Sequence, residues 1–248
     1  MLATDLSSAL DPVLFANDCG LLPDPWQAKL LQERPARSLL LCSRQSGKST
    51  ITALLALWTA IYEPPALVLL LSPSQRQSGE LFRTVIGFHS KLEGAPRLTS
   101  ESTLRAELEN GSRIIALPGT ERTVRGYAAA DLLVIDEAAR VEDDLLAAVR
   151  PMMATKSQGR LIALTTPAGQ RGWFFSSWSK GEEWARVKVA ARDCPRISKE
   201  FLDEELRELG AARFSEEYEL EFRDDLEAVF PVAVIERAFS NEVAPLWQ

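Results

Sequence analysis

The chain alternates short apolar runs with longer segments in which apolar residues recur at helical spacing. Four of the runs predict strands buried on both faces, at 38–42, 67–72, 131–139 and 160–167. Three segments between them predict helices, at 49–62, about 75–92 and 142–153. Strands that are apolar on both faces and alternate with helices are typical of parallel sheets. We therefore expect an α/β fold with a mainly parallel sheet covered by helices on both faces.

One segment between the second and third strands has a different period. Within 103–119, apolar residues from Leu104 to Leu108 alternate with polar ones, and Asn110-Gly111 follows them. This dipeptide between alternating segments is a strong signal for a tight β-turn. The segment therefore predicts a β-hairpin.

The pattern changes again near the C-terminal end. Ser198 can cap a helix with leucines on one face, Gly210 interrupts it, and aromatic residues then recur every fourth position. We predict a core at 1–197, a small helical subdomain at 198–227 and a tail or linker at 228–248.

Composition excludes several classes of site. The chain has 248 residues, one histidine (His89) and three widely spaced cysteines. A histidine-based catalytic triad, a histidine-rich metal site, a cysteine zinc site and a disulfide framework are therefore not expected. No apolar run is long enough to span a membrane, and the N-terminus lacks the features of a secretory signal.

Acidic residues are unevenly distributed. The net charge is −7, but 198–227 alone holds four basic and twelve acidic side chains. The rest of the chain is close to neutral. An acidic total therefore leaves room for a local basic surface that contacts nucleic acid.

The first apolar strand leads into "SRQSGKST" at 43–50, which ends like a phosphate-binding loop. The usual pattern is G-x-x-x-x-G-K-[ST], and Cys42 occupies the first glycine position. A strand, a turn of small polar residues and a helix starting at Ser49 form the context that this motif needs. Lys48 would reach the β- and γ-phosphates, and the Ser49 hydroxyl would bind Mg²⁺.

The third apolar strand ends in two adjacent acids, Asp136 and Glu137. In phosphate-loop enzymes a strand-end aspartate helps to hold Mg²⁺, and a neighbouring carboxylate can polarise the attacking water. Two buried carboxylates are costly unless a metal or a polar network uses them. Together with the loop, they predict an ATP-hydrolysing site.

Further motifs follow the same order around these two. They are "PDPWQ" at 23–27, "LTTPAG" at 164–169, and "GAARFSEEYELEF" at 210–222 with "AVF" at 228–230. With "SRQSGKS" and "VIDEAA", they make the chain resemble the ATPase domain of the large terminase subunit of tailed bacteriophages, from about Leu21 to Phe230. That family's loop commonly carries "SRQ" and tolerates loss of the first glycine.

The resemblance implies an additional-strand (ASCE) P-loop ATPase, with the 160–166 strand inserted between the loop strand and the acidic strand. It implies that Gln27 contacts adenine. It also implies that a coupling motif, formed by Thr165, Thr166 and Pro167, senses the γ-phosphate. The residues expected to bind ATP are Gln27, Ser43, Arg44, Gln45, Ser46, Gly47, Lys48, Ser49 and Thr50.

The resemblance implies catalytic roles for two arginines in addition to Glu137. Arg44 is expected to contact the γ-phosphate in cis, and Arg125 is expected to reach the ATP of a neighbouring subunit. Such a trans arginine is worth roughly 10³–10⁵ in rate. Arg122 and Arg140 are alternative candidates for this role.

The resemblance implies an Mg²⁺-dependent ATPase that moves double-stranded DNA into a capsid. Its partners would be further copies of itself in a ring, the portal protein and the small terminase subunit, in the cytoplasm of the infected bacterial host. Two alternatives remain open: a helicase-like DNA-dependent ATPase, and an ATP-binding module that turns over little as a monomer. The nuclease domain of full-length relatives needs clustered carboxylates, but after residue 228 only Glu236 and Glu242 remain. We therefore expect no DNA cleavage.

Other polar and aromatic residues are weaker candidates for DNA contact. Gln75 and Arg76 start the second predicted helix and either face DNA or are simply solvated. The aromatic run "GWFFSSW" at 172–178, with Trp184, predicts core packing rather than base stacking. Solvated surface charge is as good an interpretation as phosphate contact for four basic residues: Arg171, Lys180, Arg186 and Lys188.

Overall fold

The apolar runs form neighbouring strands of one sheet. The computed structural model describes residues 2–154, 156 and 158–223. Within this part the sheet has eight strands in the order β3-β4-β5-β2-β6-β7-β1-β8. The strands are β1 (Arg37–Cys42), β2 (Leu67–Ser72), β3 (Leu98–Ser102), β4 (Arg105–Leu108), β5 (Arg113–Pro118), β6 (Leu132–Asp136), β7 (Arg160–Thr165) and β8 (Ala185–Val189).

Helices precede the sheet, cover it and follow it. They are α1 (Leu2–Leu10), α2 (Pro12–Asp18), α3 (Pro25–Glu33), α4 (Lys48–Tyr62), α5 (Gln75–His89), α6 (Glu121–Val124), α7 (Asp143–Met153), α8 (Gly172–Lys180) and α9 (Lys199–Phe214). Two 3₁₀ turns (Ala138–Arg140 and Ala191–Asp193) and a π-helical turn (Ser215–Glu219) complete the elements. No helix in the described ranges is long and apolar enough to cross a bilayer.

The strand order places the site. β1, β2, β5, β6, β7 and β8 pair in parallel, whereas β3, β4 and β5 pair antiparallel. β7 lies between β1 and β6, as the resemblance implies. The register aligns Leu41 with Thr165 and Asp136 with Leu164. The carboxyl ends of these three strands therefore meet at one edge of the sheet.

Two apolar cores hold this edge in place. Successive strand residues point to opposite faces, so Leu40 packs on one side among residues of α4 and α5, and Leu39 packs on the other among residues of α7 and α8. α4 is apolar nearly all round because it is buried from Ile51 to Ala60. Each fully buried leucine contributes roughly 1.5–3 kcal/mol relative to exposure.

The predicted hairpin is confirmed, with β4 and β5 antiparallel. Asn110 donates from its side chain to the Ala60 carbonyl at 2.9 Å, and Gly111 takes a positive φ of 85°. β3 extends the hairpin to three strands and was not predicted. Its residues are mostly exposed, so they lack a buried apolar face that would mark a strand.

The aromatic cluster packs in the core, as predicted. Trp173, Phe174 and Trp184 are buried, and the Trp173 and Trp184 ring centroids lie 6.5 Å apart. His89 has a structural role, because its Nε2 lies 2.8 Å from the Pro96 carbonyl oxygen.

The C-terminal helices follow the prediction only in part. Gly210 interrupts α9 with φ 74°, as expected, but the leucines of α9 are at most half-buried. The second predicted helix begins after Gly210 and continues through Phe214 into the π-helical turn, but it ends before Phe222 because Leu220 adopts a left-handed conformation with φ 63°. The predicted tail at 228–248 lies outside the described residues, as do Glu236 and Glu242.

Candidate active site

The loop between β1 and α4 has the shape of a phosphate cradle. Gly47 caps α4 with φ 83°, a left-handed conformation that favours glycine. Inside the loop, the Ser46 hydroxyl donates to the Ser43 carbonyl at 2.8 Å. Cys42 at the first glycine position is a buried strand residue paired in register with Val189. That position therefore needs no glycine, which explains the deviant start of the motif.

The loop residues differ in their exposure to solvent. Arg44 and Gln45 are exposed at its rim. Gly47, Ser49 and Thr50 are half-buried. Buried positions anchor the loop to the sheet edge: Ser43, Ser46 and Lys48.

Two contacts join the loop to the end of β6. The Ser49 hydroxyl donates to Oδ2 of Asp136 at 3.2 Å. Lys48 Nζ lies 4.0 Å from Oε1 of Glu137, and the Lys48 side chain is only 10% exposed. The structure thus brings together the four residues that the sequence assigns to phosphate, metal and water.

The Asp136 carboxyl group is in an unfavourable setting for its charge. Burial, and then the neighbouring charge of Glu137, raise the pKa of Asp136 to about 6. The Lys48 charge, the Glu137 backbone N–H and the Ser49 hydroxyl act in the opposite direction. A divalent cation at this position would relieve the unfavourable charge.

The donor set at this point suits Mg²⁺. Carboxylate and hydroxyl oxygens are the ligands that this ion prefers, usually together with phosphate oxygens and water. In the described part of the chain, no three Asp, Glu, His or Cys side chains cluster as a metal site by themselves. Ser49 and Asp136 would therefore bind the ion jointly with a nucleotide.

The Glu137 carboxylate is held from two sides. Its backbone is left-handed, with φ 52°. Opposite Lys48, Nη1 of Arg140 lies 2.6 Å from Oε2 of Glu137 and 3.2 Å from the Thr166 hydroxyl. Arg140 was an alternative candidate for the trans arginine, but the structure places it on Glu137 of its own chain.

The predicted coupling residues lie beside this turn. The Thr165 hydroxyl accepts a hydrogen bond of 3.4 Å from the Ala139 backbone N–H and donates one of 2.7 Å to the Thr166 carbonyl. Thr165, Thr166 and Pro167 are all buried. The end of β7 is therefore attached to the turn that carries Glu137.

Gln27 is placed against the loop by α3. Its Oε1 accepts from the Asp24 backbone N–H at 2.9 Å, and its Nε2 donates to the Gly47 carbonyl at 3.4 Å. Arg196, which sequence reasoning did not single out, donates to the Ser46 carbonyl at 3.0 Å and pairs with Asp24 at 2.7 Å. No local motif marks Arg196, since its contacts depend on how the segment after β8 packs on the loop.

Arg44 is engaged by the C-terminal helices. Its Nε and Nη2 donate to the two carboxylate oxygens of Glu217 at 2.7 and 3.1 Å. The Arg44 side chain remains 58% exposed, whereas Glu217 is 12% exposed. Arg44 therefore lies in the loop with its guanidinium paired to an acid.

Arg125 lies on the connection from β5 to β6, where it is exposed, as is Arg122. Three strands separate β5 from β1 in the sheet. At a strand spacing of roughly 4.8 Å, the two strands are about 19 Å apart. This connection therefore starts far from the phosphate loop of its own chain.

Most residues that the sequence suggested for DNA contact lie on the surface. Gln75 and Arg76 are exposed at the start of α5, and Lys180, Lys188 and Arg171 are exposed as well. Arg186 uses its guanidinium to bind backbone carbonyls at the end of α8, with 2.7 Å to Trp178 and 3.0 Å to Ser177. These contacts favour a structural role for Arg186.

Comparisons with solved structures agree with this architecture. The ATPase domain of the large terminase of Thermus phage P74-26 is 19% identical, with a TM-score of 0.72 over 84% of this chain and 97% of that domain. The large terminase of bacteriophage HK97 is 17% identical, with a TM-score of 0.67 over 81% of this chain and 50% of that protein. The large terminase of a thermophilic bacteriophage in complex with ADP is 10% identical, with a TM-score of 0.65 over 81% and 54%. The fold is thus that of an ASCE P-loop ATPase.

The sequence gives the family directly. No curated protein matches the chain in sequence. The family model for the N-terminal part of the T4-like-virus type of terminase large subunit matches residues 39–237. The chain therefore belongs to the large terminase family of bacteriophages, in its ATPase domain.

Proposed function

We propose that this chain hydrolyses ATP with Mg²⁺ and that hydrolysis drives double-stranded viral DNA into a capsid. One observation carries the chemical part of the proposal. Lys48 and Ser49 at the start of α4 face Glu137 and Asp136 at the end of β6, with separations of 4.0 and 3.2 Å. The family supplies the link between such a site and DNA packaging.

Each residue has a distinct task in this mechanism. The backbone of the loop and Lys48 bind the β- and γ-phosphates, while Ser49 and Asp136 would hold Mg²⁺. When bound, the ion would neutralise charge on the phosphate oxygens. Glu137 orients the attacking water and accepts its proton. Gln27, on the Gly47 side of the loop, contacts the adenine.

Two arginines stabilise the remaining negative charge on the transferred phosphoryl group. Arg44 contacts the γ-phosphate in cis after leaving Glu217. Arg125 reaches the site of the next subunit, because its own segment starts about four strand positions from its own loop. We therefore propose a homo-oligomeric ring that assembles with the portal protein and the small terminase subunit in the cytoplasm of the infected host.

The positions of the same two arginines also support a second function, ATP binding with little hydrolysis. In the monomer Arg44 is paired with Glu217, and Arg125 lies on a segment that starts at β5, far from β1. A single subunit would then bind ATP tightly but hydrolyse it slowly. Such a chain would behave as an ATP-binding assembly module until a ring forms.

Hydrolysis and DNA movement test the proposal separately. ATP hydrolysis should require Mg²⁺ and be lost in Glu137→Gln, while Glu182→Gln, at an exposed acid outside the site, should match the wild type. ATP-dependent displacement of a third strand from duplex DNA measures translocation. Hydrolysis by Glu137→Gln at the wild-type rate would contradict the proposed chemistry. Hydrolysis without displacement, in assembled rings, would contradict the motor.

A further inference from the structure

Arg140 makes two contacts through one nitrogen. Its Nη1 lies 2.6 Å from Oε2 of Glu137 and 3.2 Å from the hydroxyl of Thr166. An arginine Nη carries two hydrogens, so both contacts can form at once. Arg140 thus joins the carboxylate proposed to activate water to the strand end proposed to sense the γ-phosphate.

The backbone around Arg140 strengthens this connection. Residues Ala138–Arg140 form a 3₁₀ turn that starts at Glu137, which has a left-handed φ of 52°. A non-glycine residue in this region is strained unless its surroundings hold it. The turn is held from β7, because the Ala139 N–H donates to the Thr165 hydroxyl at 3.4 Å. Both threonines at the end of β7 therefore contact the turn that carries Glu137.

The ion pair itself is poorly placed to stabilise the fold. Arg140 is 39% exposed and Glu137 is 24% exposed, and exposed ion pairs contribute little to stability. The other oxygen of Glu137 faces Lys48 at 4.0 Å, a lysine that the proposed mechanism assigns to the phosphates. Once Lys48 binds phosphate, Arg140 is left as the cation that fixes the Glu137 carboxylate.

We propose that Arg140 is a positioning residue for Glu137. It holds the carboxylate where it can meet the attacking water, and it moves with Thr166, so that loss of the γ-phosphate at Thr166 displaces Glu137. This inference rests on the proposed ATPase function. It predicts that Arg140 affects the chemical step but not the affinity for the nucleotide.

The experiment measures single-turnover ATP hydrolysis with the protein in excess, and separately the Kd of a fluorescent ATP analogue. Replacing Arg140 by Ala or Gln should lower the rate on the order of 10- to 100-fold, as misplaced catalytic groups do, with the Kd changed by less than about twofold. Arg140→Lys should recover part of the rate, since an ammonium keeps the charge but lacks the planar fork.

A double-mutant cycle tests the link to Thr166. Thr166→Val should slow hydrolysis in the wild-type background but add little in Arg140→Ala, because connected residues act non-additively. The matched control is Arg150→Ala, which removes an arginine paired with Glu183 at 3.1 Å elsewhere on the surface. It should hydrolyse ATP like the wild type.

The outcomes separate this inference from the proposed function. If the wild type hydrolyses ATP and Glu137→Gln does not, but all Arg140 variants match the wild type, the positioning role is wrong and the ATPase stands. Fully additive effects of Arg140→Ala and Thr166→Val would overturn the link between them. If the wild type hydrolyses no ATP at any protein concentration, both proposals fail.

Discussion

The hydroxyl of Ser49 donates a 3.2 Å hydrogen bond to the carboxylate of Asp136, although 87 residues separate them in the chain. The contact exists because β7 lies between β1 and β6 and all three run parallel, so that the loop after β1 and the end of β6 share one edge. It also shows the cost of the site, since the Asp136 carboxylate is 9% exposed and its neighbour is another acid.

Burying the charged Asp136 carboxylate should destabilise the folded state, so removing this charge should make the protein more stable. The pKa of Asp136 is raised from 3.8 to about 6 by burial and by Glu137. The folded state therefore binds this proton more tightly than the unfolded state, and stability is lost as the pH rises from about 4 to about 6. Without Mg²⁺ at pH 8, Asp136→Asn should have a free energy of unfolding higher than that of the wild type by roughly 1–3 kcal/mol. With Mg²⁺ present, the variant should not hydrolyse ATP.

Thermal unfolding at pH 4 and pH 8 checks this expectation. The difference between variant and wild type should shrink at pH 4, because the folded-state carboxyl is then mostly protonated and its unfolded-state counterpart, with a pKa of 3.8, is only partly ionised. A difference that does not depend on pH would show that the gain has another origin.

The sequence was sufficient to predict that the four residues proposed for catalysis lie close together. Each of the two motifs follows a buried strand, and parallel strands end at a common edge of the sheet. We could therefore expect Lys48 and Ser49 to lie opposite Asp136 and Glu137. The placement of β7 between them came from the family resemblance, since apolar runs do not state their order in a sheet.

The contacts that surround this centre could not be predicted. Arg196 and Glu217 reach the loop only because the segment after β8 folds back on it. Arg196 lies in no local motif, and the motif at 210–222 that contains Glu217 did not mark it as a partner of Arg44. β8 alternates between half-buried and exposed residues and gives only a weak strand signal. The four-residue spacing of aromatics predicted a regular helix, but the left-handed Leu220 ends the turn early.

Releasing Arg44 from its acid should strengthen nucleotide binding. The Arg44–Glu217 pair must open before Arg44 can contact phosphate, so Glu217→Gln should lower the Kd of ATP several-fold. The melting temperature should change little, because glutamine keeps the shape of the largely buried Glu217 side chain and the partner that loses its ion pair, Arg44, is 58% exposed to water. Glu219→Gln is the matched control, since it breaks a pair on the same π-helical turn whose partner, Arg192 at 2.7 Å, is not a loop residue. Equal Kd values for both variants would exclude a competition between Glu217 and phosphate.

The loop should not tolerate a side chain at Gly47. A Cβ there would lie 2.7 Å from Nε2 of Gln27 and 3.2 Å from Arg196, at a φ of +83°. The strained backbone costs roughly 1–2 kcal/mol, and Gln27 must move from its position on the loop. Gly47→Ala should therefore weaken binding of a fluorescent ATP analogue by at least about tenfold, which corresponds to roughly 1.4 kcal/mol.

Another glycine provides the control for this substitution. Gly87 lies inside α5, and apart from its chain neighbours and the backbone of α5 itself, no atom of the described residues lies within 4 Å of the Cβ that an alanine would add. Gly87→Ala should leave ATP binding unchanged and stabilise the protein by roughly 0.5–1 kcal/mol, because alanine is the better helix residue. If Gly47→Ala bound the analogue as well as Gly87→Ala does, the loop would not be the phosphate cradle.

Completion of the site by a neighbouring subunit should make hydrolysis depend on protein concentration. Because Arg125 lies on a connection that starts about 19 Å from its own phosphate-loop strand at a strand spacing of roughly 4.8 Å, it would meet the ATP of another copy. The wild-type rate per subunit should therefore rise with concentration, and Arg125→Ala should abolish the rise. Arg122→Ala, one turn earlier on the same exposed segment, should keep it. If Arg122→Ala abolishes the rise and Arg125→Ala does not, the two arginines exchange roles. A rate per subunit that stays flat for the wild type and both variants would mean that each chain carries a complete site.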